Sequence, residues 1–206
     1  KEYHLDLAEK LAKVGFASVL FDNRAHGESE GTYCTYGFFE KNDISKIIDY
    51  VQIGNKTPVG IWGNSLGGAI AIQALAKDKR LQFGVIESTF TSLQQIVYDY
   101  QARYTKGIAL PWICDISLKE AGEIATFPPQ KVKPIEAVKK ITQPVIISHG
   151  DADANISFNY GKSLFNNLAS EKKHFITIEG ADHYNVSRIG GDAYFREVIT
   201  FLNNNL

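Results

Sequence analysis

The chain has 206 residues, 44% hydrophobic and 22% charged, with a formal net charge of −1 at pH 7, which suits one domain with a sizeable core. The near-neutral balance and the lack of any basic run exclude nucleic acid and anionic membrane surfaces as electrostatic partners. No apolar stretch is long enough to span a bilayer. The two cysteines, Cys34 and Cys114, are too few and too far apart for a zinc framework or a disulfide-dense scaffold, so two thiols are expected.

In chain order, residues 3–14 place Leu5, Leu7, Ala8, Leu11 and Ala12 on one helical face, and Gly15 is the expected stop. Residues 16–21 form an apolar run of strand length that opens into the polar loop Asp22 to Ser29. A second helix is expected over 43–53, with Ile44, Ile47, Ile48 and Val51 inward, and a strand over 58–62. A helix over 69–76, a strand over 81–87 and a polar stretch from Ser88 to Ser92 follow. Residues 93–141 break this rhythm with Tyr98, Tyr100, Tyr104, Trp112, Phe127 and four prolines. They are read as irregular helices and loops laid over the sheet, within a single domain of residues 1–206. The pattern then resumes with strands over 144–149 and 173–178 and helices over 158–169 and 194–202. Five strands alternating with helices predict a doubly wound, mostly parallel α/β sheet, with functional groups at the carboxyl ends of the strands.

The chemistry centres on Gly63-Asn64-Ser65-Leu66-Gly67-Gly68, between a strand and a helix. Gly63 and Gly67 lack a Cβ where strand and helix meet, and Ser65 sits at the tip over free helix N–H groups. This is the G-x-S-x-G pattern in the strand–turn–helix setting that it requires. A serine hydroxyl is a weak nucleophile until a histidine takes its proton and a carboxylate orients that histidine. After Ser65 stand His149, His174 and His183. His183, at the carboxyl end of the last strand, is preferred as base over His149; His174 begins a strand at the far edge. Asp153 is preferred as the acid over Asp151, Asp182 and Glu87, because it lies deep enough in its loop to turn back toward His183. Asp22 and Arg24 are read as a structural brace and Gly27 as a residue of positive φ. Phe90, Tyr98, Tyr100, Tyr104 and Trp112 either wall an acyl pocket or simply pack.

These motifs resemble the α/β-hydrolase superfamily over essentially the whole chain. Within it the chain is similar to the lid-poor branch of serine aminopeptidase-like hydrolases, prolyl-oligopeptidase-like domains and depalmitoylases. The resemblance rests on Asp22-x-Arg24-x-His26-Gly27-x-Ser29 (with Ala25 where glycine is usual), on the Ser65 turn, on His149-Gly150-x-x-Asp153 and on Gly180-x-x-His183. It implies Ser65, Asp153 and His183 as a triad, with no metal and no cofactor. It also implies an oxyanion site built from the Leu66 N–H and a second donor from a loop ahead of the first helix. That loop, and the strands beside it, are expected upstream of Lys1; the chain contains no methionine. The expected reaction is hydrolysis of a small-molecule ester or thioester, with peptide hydrolysis as the runner-up and a non-catalytic binding module as the third reading. With no leader visible, a cytoplasmic location is the expectation; oligomeric state is not addressed by the sequence.

Overall fold

The computed structural model describes residues 4–54, 57–108 and 110–206. Two compact units are resolved, Lys1–Cys34 and Thr35–Leu206. In the first, helix α1 (Leu5–Lys13) ends where Gly15 adopts φ +91°, the left-handed stop that glycine favours. Tyr3, the expected first residue of this helix, lies outside the described residues.

The strand expected over 16–21 is corrected by the structure, which gives these residues no ladder and leaves Val19 56% and Phe21 37% exposed. An apolar run records only that a segment favours burial. It becomes a strand where a neighbouring ladder satisfies its backbone groups, and none is formed here among the described residues. In the polar loop that follows, Gly27 has φ +53°, and a Cβ there would fall 2.3 Å from an Asp22 carboxylate oxygen. Ala25 also takes a positive φ, 58°, which explains why glycine suits that position.

The second unit is an α/β layer structure. Strands β1 (Val59–Asn64), β2 (Leu81–Glu87), β3 (Val145–Gly150) and β4 (Lys173–Ile178) pair in parallel in the order β1-β2-β3-β4. Helix α2 (Glu40–Val51) packs on α3 (Leu66–Lys77), which covers β1 and β2. Ile70 and Leu75 of α3 meet Ile86, Val145 and Ile147 of the sheet and Leu164 of α7 (Phe158–Asn167) in one core. Strand side chains alternate between faces, so Glu87 and Ser148 point to the other side. There both meet Tyr194 of α8 (Val186–Asn205), a helix kinked at Gly191.

Residues 93–141 are more regular than expected. They hold two full helices, α4 (Leu93–Tyr104) and α5 (Pro111–Ile124), then short turns around α6 (Pro134–Ala137). The Ser92 hydroxyl caps α4 by accepting the Gln95 N–H, and Pro111 opens α5 at a position where a missing N–H costs nothing. These start signals outweigh the aromatic and proline content that disguised the helices. A second core beneath α4 gathers Phe90, Leu93, Ile96, Phe127, Val132 and Ile156. Cys114 is buried, Cys34 is half-buried, and neither is in a disulfide. Among the described residues, no helix is long and apolar enough to cross a membrane.

Candidate active site

Parallel pairing brings the carboxyl ends of all four strands to one edge, with Asn64 beside Glu87 and Gly150 beside Ile178. The loops leaving that edge carry Ser65, Asp153 and His183. Ser65 follows β1 directly with φ 53° and ψ −117°, a conformation that a non-glycine residue holds only under constraint. The constraints are its own N–H, donated to the Glu87 carbonyl at 2.9 Å, and its carbonyl, which accepts the Thr89 hydroxyl at 2.7 Å. Close packing beneath the turn depends on Gly63 and Gly68. A Cβ on Gly63 would lie 2.3 Å from the Gly67 carbonyl oxygen, and one on Gly68 would lie 2.9 Å from the Thr89 Cβ. Gly67, credited with this role from the motif, has nothing within 4 Å of its Cβ direction.

The Ser65 hydroxyl lies 3.0 Å from His183 Nε2, and His183 Nδ1 lies 2.8 Å from an Asp153 carboxylate oxygen. A carboxylate only accepts, so Nδ1 carries the proton and Nε2 is free to accept from the serine. Asp153 is buried. Its other oxygen accepts the N–H groups of Asn155 and Ile156, each at 2.8 Å. Burial opposes ionisation of this carboxyl. The hydrogen bonds from His149, His183 and Ile156 outweigh it and hold the group well below the usual carboxylate range. A hydroxyl, an imidazole and an ionised acid so connected can move a proton from oxygen to ring and back.

The alternatives weighed from sequence lie elsewhere. Asp151 accepts the Gly180 N–H at 2.7 Å and so ties the two loops together. Asp182 caps its own turn through the Tyr184 N–H. Glu87 is buried against the Tyr194 hydroxyl at 2.6 Å. His174 pairs with Glu197 on α8 at 2.6 Å. His149 stands behind Asp153 rather than beside Ser65.

A cavity of about 390 Å³ opens at Ser65, lined by Tyr36, Leu66, Phe90, Leu93, Ile96, Val97, Tyr100 and Ile156. Of the aromatic candidates, Phe90 and Tyr100 reach it. Tyr98 is instead hydrogen-bonded to Asp115 at 2.6 Å, and Tyr104 and Trp112 are 83% and 62% exposed. Tyr36 was not anticipated. Its turn is fixed by Glu40, whose buried carboxylate accepts the Thr35 and Gly37 N–H groups and the Thr35 hydroxyl at 2.6–2.7 Å. Gln73 adds a bond to the Tyr36 carbonyl at 2.8 Å. The spacing Thr35-x-Gly37-x-x-Glu40 carried that signal, as a carboxylate folding back on the turn before its own helix. No group of three His, Cys, Asp or Glu side chains that could hold a metal ion gathers among the described residues.

The family model of the S33 serine aminopeptidases matches residues 2–114. The chain belongs to this hydrolase family. It is 28% identical over 200 residues to the protein YqkD of Bacillus subtilis, covering 93% of this chain and 63% of that protein. It is also 25% identical over 187 residues to the lysophosphatidylserine lipase ABHD12 of Rattus norvegicus, covering 84% of this chain and 43% of the lipase. The chain thus spans less than two thirds of the length of either relative. The solved Pyrococcus furiosus esterase Pf2001 shares the fold with a TM-score of 0.77 at 23% identity, covering 99% of this chain and 77% of the esterase. The matched stretch contains the Ser65 turn, whereas Asp153 and His183 lie beyond it.

Proposed function

We propose that this hydrolase cleaves carboxylic esters or thioesters through an acyl-enzyme on Ser65. The observation that carries the reading is the unbroken chain from Ser65 Oγ to His183 at 3.0 Å and on to Asp153 at 2.8 Å, opening on an apolar cavity. His183 Nε2 takes the serine proton as Oγ bonds to the carbonyl carbon. The Leu66 N–H, the first of α3 and without an intrahelical acceptor, donates to the resulting oxyanion. His183 returns the proton to the leaving oxygen or sulfur as its bond to carbon breaks. Water attacks the acyl-enzyme by the same route, releasing the acid and restoring the Ser65 hydroxyl. Asp153 keeps the ring tautomer throughout.

The cavity supports an uncharged, apolar acyl group, since among the described residues its walls are Tyr36, Leu66, Phe90, Leu93, Ile96, Val97, Tyr100 and Ile156, none of them acidic or basic. A lipase among the relatives accords with an ester substrate. The family's description favours a second reading, aminopeptidase action, which calls for a carboxylate to meet the substrate's amino terminus; none of the lining residues supplies one. Initial rates on p-nitrophenyl esters, acyl thioesters and aminoacyl amides, with Ser65→Ala as control, separate the readings. Ester or thioester turnover abolished by Ser65→Ala is the expected result. Turnover of amides alone would replace it with the peptidase reading.

A further inference from the structure

Four donors converge on Asp153, and one of them lies outside the line that runs to Ser65. His149, next to last in β3, is fully buried, with its Nε2 at 3.0 Å from the Ile156 carbonyl and 3.4 Å from the Asp153 oxygen that His183 also contacts. Both neighbours are pure acceptors, so Nε2 carries the proton; it donates to the Ile156 carbonyl and lies against the Asp153 oxygen at 3.4 Å. Nδ1 has no hydrogen-bond partner and faces Gly161, where a Cβ would come within 2.6 Å of it. A proton on Nδ1 would be a buried, unpaired N–H, so the tautomer with the proton on Nε2 is the one this packing accepts. Phe158 stands edge-on to it at 5.8 Å and fixes its plane. An ionised carboxylate offers about four acceptor sites; here the Asn155 and Ile156 N–H groups and His183 take three, and the His149 Nε2–H stands against the oxygen that His183 uses. Ile156 donates to Asp153 and accepts from His149, and its side chain walls the cavity.

We propose that His149 is a positioning residue, whose Nε2–H ties the Ile156 carbonyl, stands against the Asp153 carboxylate on the oxygen facing His183, and so locks the loop 151–156 as one piece with the cavity wall. The inference rests on the triad reading of Ser65, His183 and Asp153. His149→Phe keeps a flat aromatic ring, slightly larger than imidazole, and removes the donor, and the rate at which a fluorophosphonate labels Ser65 should fall about tenfold. His149→Gln, which keeps an N–H donor, should recover at least half of that loss on a logarithmic scale. The discriminating readout is the double-mutant cycle with Asp153→Asn. If His149 acts through the acid, His149→Phe costs nothing further in the Asp153→Asn background. An equal additional loss there, or labelling of His149→Phe at the wild-type rate, would overturn the proposal while leaving the triad reading intact. Undiminished labelling of Asp153→Asn alone would overturn both. Should His149→Phe fail to fold by circular dichroism, His149→Asn, whose shorter amide stops short of Asp153, carries the same expectation through the same cycle.

Discussion

Replacing Gly63 by alanine tests the construction of the Ser65 turn. The new Cβ would lie 2.3 Å from the Gly67 carbonyl oxygen, 2.5 Å from its carbon and 2.8 Å from the Gly68 nitrogen, against an ordinary contact of 3.4–4 Å. All three are backbone atoms, so no rotamer change relieves the contact, and β1 must part from the start of α3 by about 1 Å. Overpacking of this kind costs about 1–3 kcal/mol, or roughly 2–12 °C in Tm for a chain of this length. A displacement of about 1 Å at a reacting hydroxyl can cost about 100-fold in rate. Gly67→Ala is the matched control: its Cβ meets nothing within 4 Å, and alanine favours the helix by up to about 1 kcal/mol. The assay is thermal unfolding by circular dichroism together with the rate of fluorophosphonate labelling. Gly63→Ala should lose both stability and labelling, and Gly67→Ala should keep or raise its Tm. Wild-type behaviour of Gly63→Ala, or an equal Tm loss in Gly67→Ala, would refute the steric assignment.

Other variants probe separate parts of the structure. Burial pushes the Glu87 carboxyl up despite the Tyr194 hydrogen bond, so the folded state favours the protonated acid. Its contribution is complete below the ordinary carboxylate pKa of about 4.3 and is lost as pH rises through the elevated folded value. The Tm of Glu87→Gln relative to wild type should therefore climb from pH 4 to pH 9; a flat or falling difference would contradict this. Val97→Phe narrows the cavity at Ser65 and should lower kcat/KM for p-nitrophenyl octanoate at least tenfold relative to the acetate, an effect in the range of hydrophobic pocket discrimination. An unchanged ratio would place the acyl chain elsewhere. Ala25→Gly releases a residue held at φ 58° and should gain about 0.5–1 kcal/mol after the added chain entropy of glycine, read as a higher midpoint in urea.

What the sequence made legible was whatever depends on local pattern. The runs 58–62, 81–87, 144–149 and 173–178 are apolar enough to be strands without knowledge of their neighbours, and each lies on an observed strand to within two residues. Ser65, Asp153 and His183 could be named together because a parallel sheet sends every βα loop to one edge, so position along the chain stands in for position in space. The run 16–21 shows the limit: apolar content records a tendency to be buried but not whether a ladder is present. Tyr36 and Ile156 are not marked as cavity walls by the sequence: the Glu40 spacing signals the turn at Tyr36 but not its tie to Gln73, 37 residues on, and Ile156 is set by how the His149 ring and the Asp153 carboxylate are oriented around one loop. His149 is read from the sequence as shaping its own loop and as the lesser candidate for the base, since sequence order cannot tell a histidine that faces the serine from one that backs the acid.

The most direct test of the central claim is labelling of the full chain with a fluorophosphonate, followed by mass mapping of the modified peptide. A single adduct on Ser65, lost in Ser65→Ala and strongly slowed in His183→Ala and Asp153→Asn, is the expected result. No adduct, or an adduct on another residue with Ser65 unmodified, would contradict it.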